Sequence, residues 1–330
     1  MCKRTIVPAG AAIVMNLLRH ALALGLAAAT AVAAAGEIKH RFILCDESRH
    51  MLHGVDQQDP SKDWKMPVSG GLHDMQLIGN GQLLLSESQG YTVYDLALRK
   101  AVRQARVPEL GGAISVRRRP DGGTIVGANQ KGISVFELDK SDAIVRKMNF
   151  PELKTLRMMR LCADGHVVLA EEQGMTDAAF DAAAAGGGRI VLRIPLPRSR
   201  NAFMGLKQSG GNYLVDGGYA HAFYEFTPDG KIVRQFEATG MPKGLINKFY
   251  AGFQVLRNGN VVVCNWTGHG APDSNLGWQL LEFSPQGELV WKWHDPQRAG
   301  TALNVMVLDD LDVQTLNDDV GGVLKTITSP

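Results

Sequence analysis

The chain has 330 residues, of which 45% are hydrophobic and 21% are charged. This composition allows a sizeable hydrophobic core in one or two domains. Lysine and arginine total 35 and aspartate and glutamate total 33, for a formal net charge of +2. So small an imbalance gives no indication of a partner such as nucleic acid or an anionic membrane surface.

The N-terminal segment differs from the rest of the chain. Lys3, Arg4 and Arg19 precede an apolar, alanine-rich run that ends in small residues at 33–36. This order is typical of a secretory signal peptide and predicts cleavage near Ala35, with the mature protein in the periplasm or outside the cell. An uncleaved amphipathic anchor is the alternative. The run is short and alanine-rich for a stable membrane span, and we predict none.

Removal of residues 1–35 would leave Cys45, Cys162 and Cys264. An odd number of cysteines does not make a disulfide framework. Each cysteine lies within or beside an apolar run, which favours a buried thiol that packs as a small hydrophobic group. A catalytic thiol is the alternative.

The mature chain is built from repeats. Turn signals end at glycines 81, 122, 165, 211 and 259, with spacings of 41, 43, 46 and 48 residues, and a short aliphatic run follows each glycine. Such runs are typical of strands joined by tight turns. Third strands are predicted around 91–95, 222–226 and 280–283, and fourth strands at 231–236 and 288–293. Four antiparallel strands in roughly 45 residues indicate a β-propeller blade.

Five full units run from about 71 to 298. Strand-like segments at 40–47, 51–55 and 63–66 lack a first strand, whereas the segment at 302–308 has no second strand of its own. Pairing 302–308 with the strand at 41–46 completes a sixth blade and leaves no open sheet edge. We therefore predict an all-β, six-bladed propeller over residues 36–312 and a polar C-terminal tail over 313–330. The repeated turn chemistry argues against a β-sandwich.

Several segments resemble a known group of proteins. The turn Asn258-Gly259-Asn260 and the stretches EFTPDGKIVRQF (225–236) and LEFSPQGELVWKWHDP (281–296) resemble repeats of secreted bacterial PQQ-like and arylsulfotransferase-type β-propellers. The resemblance implies the fold. It carries over no catalytic residue and no cofactor, since the sequence has no adjacent cysteine pair and no match to the arylsulfotransferase histidine motif.

In such a propeller, the second-to-third loops and the blade-to-blade loops share one face, around the mouth of the central channel. Alignment of the repeats on their turn glycines predicts which residues line this mouth. They are His73, Glu87, Asn129, Arg157, Glu171, Asp216, Asn265 and Trp266.

The second-to-third loop of the last full unit reads NWTGHGAPDSNLGW (265–278) and is far longer than a tight hairpin requires. We expect it to overhang the mouth and to present Trp266, His269, Asp273 and Trp278. Aromatic faces beside amides and acids suit sugar rings. The alternative is that both tryptophans pack on their own blade.

Three functions are compatible with these patterns. The first is binding of a carbohydrate or another polar small ligand at the mouth by a monomeric protein. The second is a carbohydrate-active lyase or hydrolase, with His73 or His269 as base, Glu171 as acid partner and Arg157 as a clamp on an anionic group. The third is a protein-interaction scaffold. No metal site is predicted, because His73, Glu87, Glu171 and His269 lack a recognised ligand spacing.

Overall fold

A computed structural model describes residues 37–197 and 201–327. The predicted signal peptide, residues 1–35, lies outside the described residues. From His40 onward the chain forms one compact unit. Short 3₁₀ segments lie at Pro60–Lys62, Pro108–Leu110, Ala185–Gly187 and Ala271–Leu276. No helix in the described ranges is both long enough and apolar enough to cross a membrane.

The strands form six four-stranded antiparallel sheets, the blades, numbered here in chain order. Blade 1 contains β1 (Arg41–Asp46), β2 (Met51–Asp56) and β3 (Trp64–Pro67). Blade 2 contains β4 (Met75–Gly79), β5 (Gln82–Glu87), β6 (Gly90–Asp95) and β7 (Lys100–Arg106). Blade 3 contains β8 (Ala113–Arg118), β9 (Thr124–Gln130), β10 (Gly132–Leu138) and β11 (Ile144–Phe150).

The second half of the chain repeats the pattern. Blade 4 contains β12 (Met158–Leu161), β13 (Val167–Glu171), β14 (Gly174–Phe180) and β15 (Gly188–Pro195). Blade 5 contains β16 (Gly205–Lys207), β17 (Tyr213–Asp216), β18 (Phe223–Phe226) and β19 (Ile232–Phe236). Blade 6 contains β20 (Tyr250–Val255), β21 (Val261–Asn265), β22 (Leu280–Phe283) and β23 (Leu289–Trp293). β24 (Ala302–Val307) returns to blade 1, and β25 (Asn317–Asp318) pairs with β26 (Lys325–Thr326) in the tail.

Burial falls from the axis of the propeller to its rim. Every residue of the inner strand β20 is buried, whereas six of the seven residues of the outer strand β7 are exposed. The five turn glycines predicted from the repeats have φ angles of 65° at Gly81, 84° at Gly122, 82° at Gly165, 91° at Gly211 and 85° at Gly259. Positive φ costs glycine little, and this is why the turn residue recurs in every unit.

The ring closes as predicted, with the first strand of the chain against the last inner strand. β1 pairs antiparallel with β24, with Phe42 opposite Val307 and Ile43 opposite Met306. The closed ring leaves no blade without an inner strand, which confirms the six-bladed propeller.

The C-terminal tail packs across the end of the channel. Single β-bridges join Leu316 to Ile78, Gly321 to Gln208 and Val323 to Val255, so the tail contacts inner strands of blades 2, 5 and 6. These contacts fall where the first strands end, on the face opposite the predicted mouth.

The tail also carries a buried charge into the channel. The carboxylate of Asp319, only 5% exposed, lies 3.0 Å from the guanidinium of Arg117 and 2.6 Å from that of Arg160. Both arginines are buried as well, and Asp74 lies on their other side at 3.5 Å and 3.2 Å, respectively. The four side chains thus neutralise one another in the channel, and the tail supplies one of the two carboxylates.

Cys45, Cys162 and Cys264 are free and buried. Burial raises the pKa of each thiol far above its ordinary value. The sulfur of Cys45 lies 3.7 Å from that of Met75. These thiols therefore act as packing groups.

Candidate functional site

A concave cavity of about 260 Å³ opens at the mouth of the channel. It is lined by residues just before first strands, just after second strands and in the loops that follow them. They are Glu47, His73, Arg157, Phe203, Tyr219, Phe249, Trp266, His269 and Leu303. These residues come from blades 1, 2, 4, 5 and 6, and the face is the one predicted from the propeller topology.

Aromatic rings form a continuous wall in this cavity. The imidazole of His73 stacks on Phe203 at a centroid distance of 6.1 Å, and Phe203 meets the ring of Phe249 edge-on at 5.9 Å. Phe249 in turn contacts Tyr219 at 4.7 Å and Trp266 at 5.9 Å. Edge-to-face packing is a favoured aromatic geometry, and here it joins rings of blades 5 and 6 into one surface, with His73 of blade 2 stacked at its end.

The long loop of blade 6 is tied to blade 1 through Glu47. The indole Nε1 of Trp266 donates a hydrogen bond to this carboxylate at 2.5 Å, and Nδ1 of His269 lies 3.0 Å from its other oxygen. Trp266 is 8% exposed, whereas the side chain of His269 is 80% exposed. The contact holds the imidazole at the rim with its Nε2 atom directed away from Glu47.

Arg157 brings a positive charge into the cavity. Its backbone N–H donates to the carbonyl of Ala170 at 2.9 Å, which fixes the residue just before β12. Its side-chain Nε is buried and has no hydrogen-bond partner. Across residues 37–197 and 201–327 no carboxylate forms an ion pair with this guanidinium. The cavity therefore presents a cation that the protein itself does not neutralise.

His73 lies beside this cation. Burial lowers the pKa of His73 to about 4, and the charge of Arg157 acts in the same direction, against the weaker opposing effects of Glu47 and Asp74. The imidazole is therefore neutral at pH 7 and offers one donor and one acceptor. Asn304 donates to the backbone carbonyl of His73 at 2.8 Å and holds the segment in place.

Of the residues predicted at the mouth, His73, Arg157, Trp266 and His269 line the cavity. Others lie elsewhere and hold their own blades together. Glu87 accepts hydrogen bonds from Ser69, Thr92 and Gln104. Glu171 is 1% exposed and accepts from Arg193 at 3.0 Å, and Asn129 bonds the backbone of Leu156 in both directions.

Three further predicted residues support the cavity from behind. Asp216 is fully buried and accepts backbone N–H groups of Phe203 at 2.9 Å, Met204 at 2.6 Å and Gly218 at 3.0 Å. Burial raises the pKa of Asp216 to about 8, although these three bonds oppose the shift. Asn265 accepts from the backbone of Lys248, and Asp273 caps Gly270 inside the loop. Trp278 packs beneath Lys292 and does not line the cavity.

The sequence predictions missed Glu47, Phe203, Tyr219, Phe249 and Leu303. A signal for two of them exists. Phe203 and Phe249 precede first strands by one or two residues, as His73 and Arg157 do. Alignment of the blades on their first strands, instead of on the turn glycines, places all four within the two positions before those strands. Glu47 immediately follows β1, the second strand of blade 1, just as Trp266 immediately follows β21, the second strand of blade 6.

Among the residues that the structure describes, no group of three or more His, Cys, Asp and Glu side chains is arranged to hold a metal ion. The polar chemistry of the cavity therefore comes from one guanidinium, one neutral imidazole, the hydroxyl of Tyr219 and a carboxylate–imidazole pair.

Neither a known protein family nor a curated protein matches the chain in sequence. Solved structures do match in fold. A Bacteroides caccae protein of unknown function has a TM-score of 0.65 and 20% identity, over 82% of this chain and 99% of that one. A streptogramin B lyase has a TM-score of 0.51 and 10% identity, over 79% and 88% of the two chains. The WD40 β-propeller domain of Doa1 has a TM-score of 0.53 and 12% identity, over 78% and 79%.

These similarities agree with a β-propeller and extend to fold alone. They do not distinguish a PQQ-like or arylsulfotransferase-type propeller from the others, and that resemblance stays a prediction.

Proposed function

We propose that the protein binds a small organic ligand in the mouth cavity. The observation that carries the proposal is the convergence of residues from five blades on one concave surface that combines aromatic rings with an unpaired guanidinium. Small-molecule sites are typically clefts of about 300–1,000 Å³ with mostly apolar walls and a few placed polar groups. The cavity, at about 260 Å³, is slightly smaller than this range, and it combines an aromatic wall with a few placed polar groups.

The position of the cavity in the fold supports the same proposal. All of its residues except Leu303, which lies in β24, are in loops or next to strand ends, outside the hydrogen-bonded ladders of the blades. Loops held by a rigid scaffold are where binding residues concentrate. The proposed export of the chain, with removal of residues 1–35, would expose this cavity to ligands in the periplasm or outside the cell, a carbohydrate among them.

The test pairs calorimetric binding with thermal melting, using a panel of neutral sugars, acidic sugars, aromatic acids and aromatic amines. Tyr219→Ala is the first variant, since Tyr219 lines the cavity and is 41% exposed. We expect a loss of about 1–3 kcal/mol in binding free energy, typical of an aromatic contact at a binding hot spot. Trp266→Ala should weaken binding similarly, whereas Trp278→Ala, a tryptophan of the same loop outside the cavity, should not.

Melting temperatures separate binding from packing. Tyr219→Ala should melt close to the wild type, because the side chain is partly exposed. If no compound in the panel binds, or if binding is unchanged in both cavity variants, the mouth cavity is not the ligand site.

A lyase or hydrolase is the second candidate function. It is favoured by the contact of 3.0 Å between Glu47 and His269 in the same cavity as Arg157. A carboxylate that orients an imidazole is a common arrangement for general acid–base catalysis. One solved structure that shares the fold is a streptogramin B lyase. Loss of turnover in His269→Gln with retained binding would favour the enzyme. A protein-interaction scaffold is also compatible with the fold.

A further inference from the structure

We infer that the mouth cavity takes a planar aromatic monocarboxylate, with the carboxylate on Arg157 and the ring against Phe203, Phe249 and Tyr219. The inference rests on the proposed function and adds the chemical class of the ligand.

Arg157 carries the positive charge that a ligand would meet in the cavity. Its Nε is buried without a partner, and no ion pair involving its guanidinium is present among the described residues. The residue as a whole is partly buried, and a charge that is partly removed from water is stabilised by a paired, hydrogen-bonded partner. A carboxylate matches the planar fork of a guanidinium and accepts two parallel hydrogen bonds from it. An anionic ligand group therefore supplies the partner that the protein lacks at this position.

The acidic groups nearby are already engaged. Both oxygens of Glu47 are occupied, one by the indole N–H of Trp266 at 2.5 Å and the other by His269 at 3.0 Å. Oδ2 of Asp74 accepts from the backbone N–H of Val116 at 3.0 Å and lies 3.2 Å from Arg160, and Oδ1, which has no hydrogen-bond partner, lies 3.5 Å from the guanidinium of Arg117. The carboxylates around the cavity are thus held by other donors, and Arg157 is available to a ligand.

The wall indicates the body of the ligand. Phe203, Phe249 and Leu303 offer only apolar atoms, and the indole N–H of Trp266 is already donated to Glu47. A sugar ring carries several hydroxyl groups, each of which needs a hydrogen-bond partner once it leaves water. Apart from the guanidinium of Arg157, the wall offers few, namely the hydroxyl of Tyr219, the ring nitrogens of His73 and Nε2 of His269. A flat apolar ring meets this wall without leaving polar groups unpaired.

The number of unpaired cations in the cavity limits the number of carboxylates that the ligand can carry. Arg157 is the one cation with an unpaired buried nitrogen among the lining residues of the cavity. The neighbouring His73 is neutral near pH 7, and His269 is paired with Glu47. A second carboxylate on the ligand would be desolvated without a counter-charge, which is unfavourable. The cavity therefore favours a monoanion.

The experiment uses the full mature chain and two matched probes, 4-fluorobenzoate and 4-fluorobenzamide, observed by ¹⁹F NMR. They share one ring and differ in charge. We expect 4-fluorobenzoate to bind about tenfold more tightly than the amide, because a charge-assisted hydrogen bond is about twice as strong as a neutral one. Arg157→Gln should abolish that difference, and Arg157→Lys should retain part of it. Arg146→Gln, on the outer strand β11, is the control and should change nothing.

Three outcomes overturn the inference. Equal affinity of the two probes, or a preference that survives Arg157→Gln, would mean that Arg157 does not read a carboxylate, while the proposed binding function stands. The absence of binding by either probe would reject an aromatic acid, and the broader panel with Tyr219→Ala would then decide the proposed function separately.

Discussion

The imidazole of His40 lies 2.8 Å from a carboxylate oxygen of Glu282, a residue 242 positions further along the chain. The other ring nitrogen lies 2.6 Å from Asp309. Two acceptors on one imidazole require both nitrogens to carry protons. Burial alone lowers the pKa of His40, but the two hydrogen bonds outweigh it and raise the pKa to about 9. His40 thus links blade 1 to blade 6 as an imidazolium.

This pairing predicts a pH-dependent stability. A group whose pKa is raised on folding stabilises fully below its unfolded value of about 6.5, and the effect is lost as the pH rises through about 9. The full shift corresponds to about 3 kcal/mol. Urea unfolding from pH 6 to pH 10 should show the wild type losing stability relative to His40→Gln. The raised pKa of Asp216 also lowers the stability of the folded protein as the pH rises to about 8. Because Asp216 is present in both proteins, its effect cancels in the difference. Parallel profiles for the two proteins would contradict the prediction.

The buried ion pairs of Asp319 predict how much the tail contributes to the stability of the fold. Burial raises the pKa of this carboxyl, but Arg117 and Arg160 outweigh the effect and hold it below its ordinary value. Asp319→Asn would leave two buried guanidinium groups with only Asp74 opposite them. We expect a loss of about 3–5 kcal/mol in the free energy of unfolding, as when one partner of a buried ion pair is removed. The exposed Asp310→Asn is the control and should stay within about 0.5 kcal/mol. Equal melting temperatures for the two variants would show that the tail charge is dispensable.

The ring closure is tested with two truncations. A chain that ends at Asp312 keeps β24 but loses the tail, whereas a chain that ends at Gly300 loses both. The shorter chain leaves β1 with an unpaired edge, which is open to association with other molecules. We expect it to melt at a much lower temperature and to aggregate on size-exclusion chromatography, while the longer chain stays monomeric with a smaller loss. Similar behaviour of the two truncations would mean that pairing of β1 with β24 adds little.

Thiol counting tests both the cysteines and the export. The folded protein should not react with a thiol reagent, since Cys45, Cys162 and Cys264 are buried and burial raises their pKa values. In denaturant, a chain cleaved near Ala35 should give three thiols, and an uncleaved chain should give four because it keeps Cys2. Mass spectrometry of exported material should show a start near Gly36 or Glu37. A count of one in denaturant would reveal a disulfide.

Much of the fold could be predicted because its signals are local and repeated. Gly81, Gly122 and Gly259 mark turns by their own conformational freedom, and five such turns at similar spacings reinforce one another. The site was harder to predict. Glu171 faces Arg193, a cross-strand partner 22 residues away, and that ion pair keeps the carboxylate out of the cavity. No pattern in the sequence specifies such a partner. Phe203 and Phe249 were missed because an alignment on turn glycines registers second strands, whereas these rings precede first strands.

The tail determines how a ligand can enter and leave the mouth cavity. Asp319, Gly322 and Leu324 reach the axis of the propeller and line the inner end of the channel together with Arg117 and Arg160. The channel is thereby closed at its inner end, and a ligand that enters past Tyr219 must leave by the same route. Association and dissociation of the ligand then pass the same constriction. A single substitution at the rim, such as at His269, should therefore change both rate constants together and leave the affinity nearly unchanged.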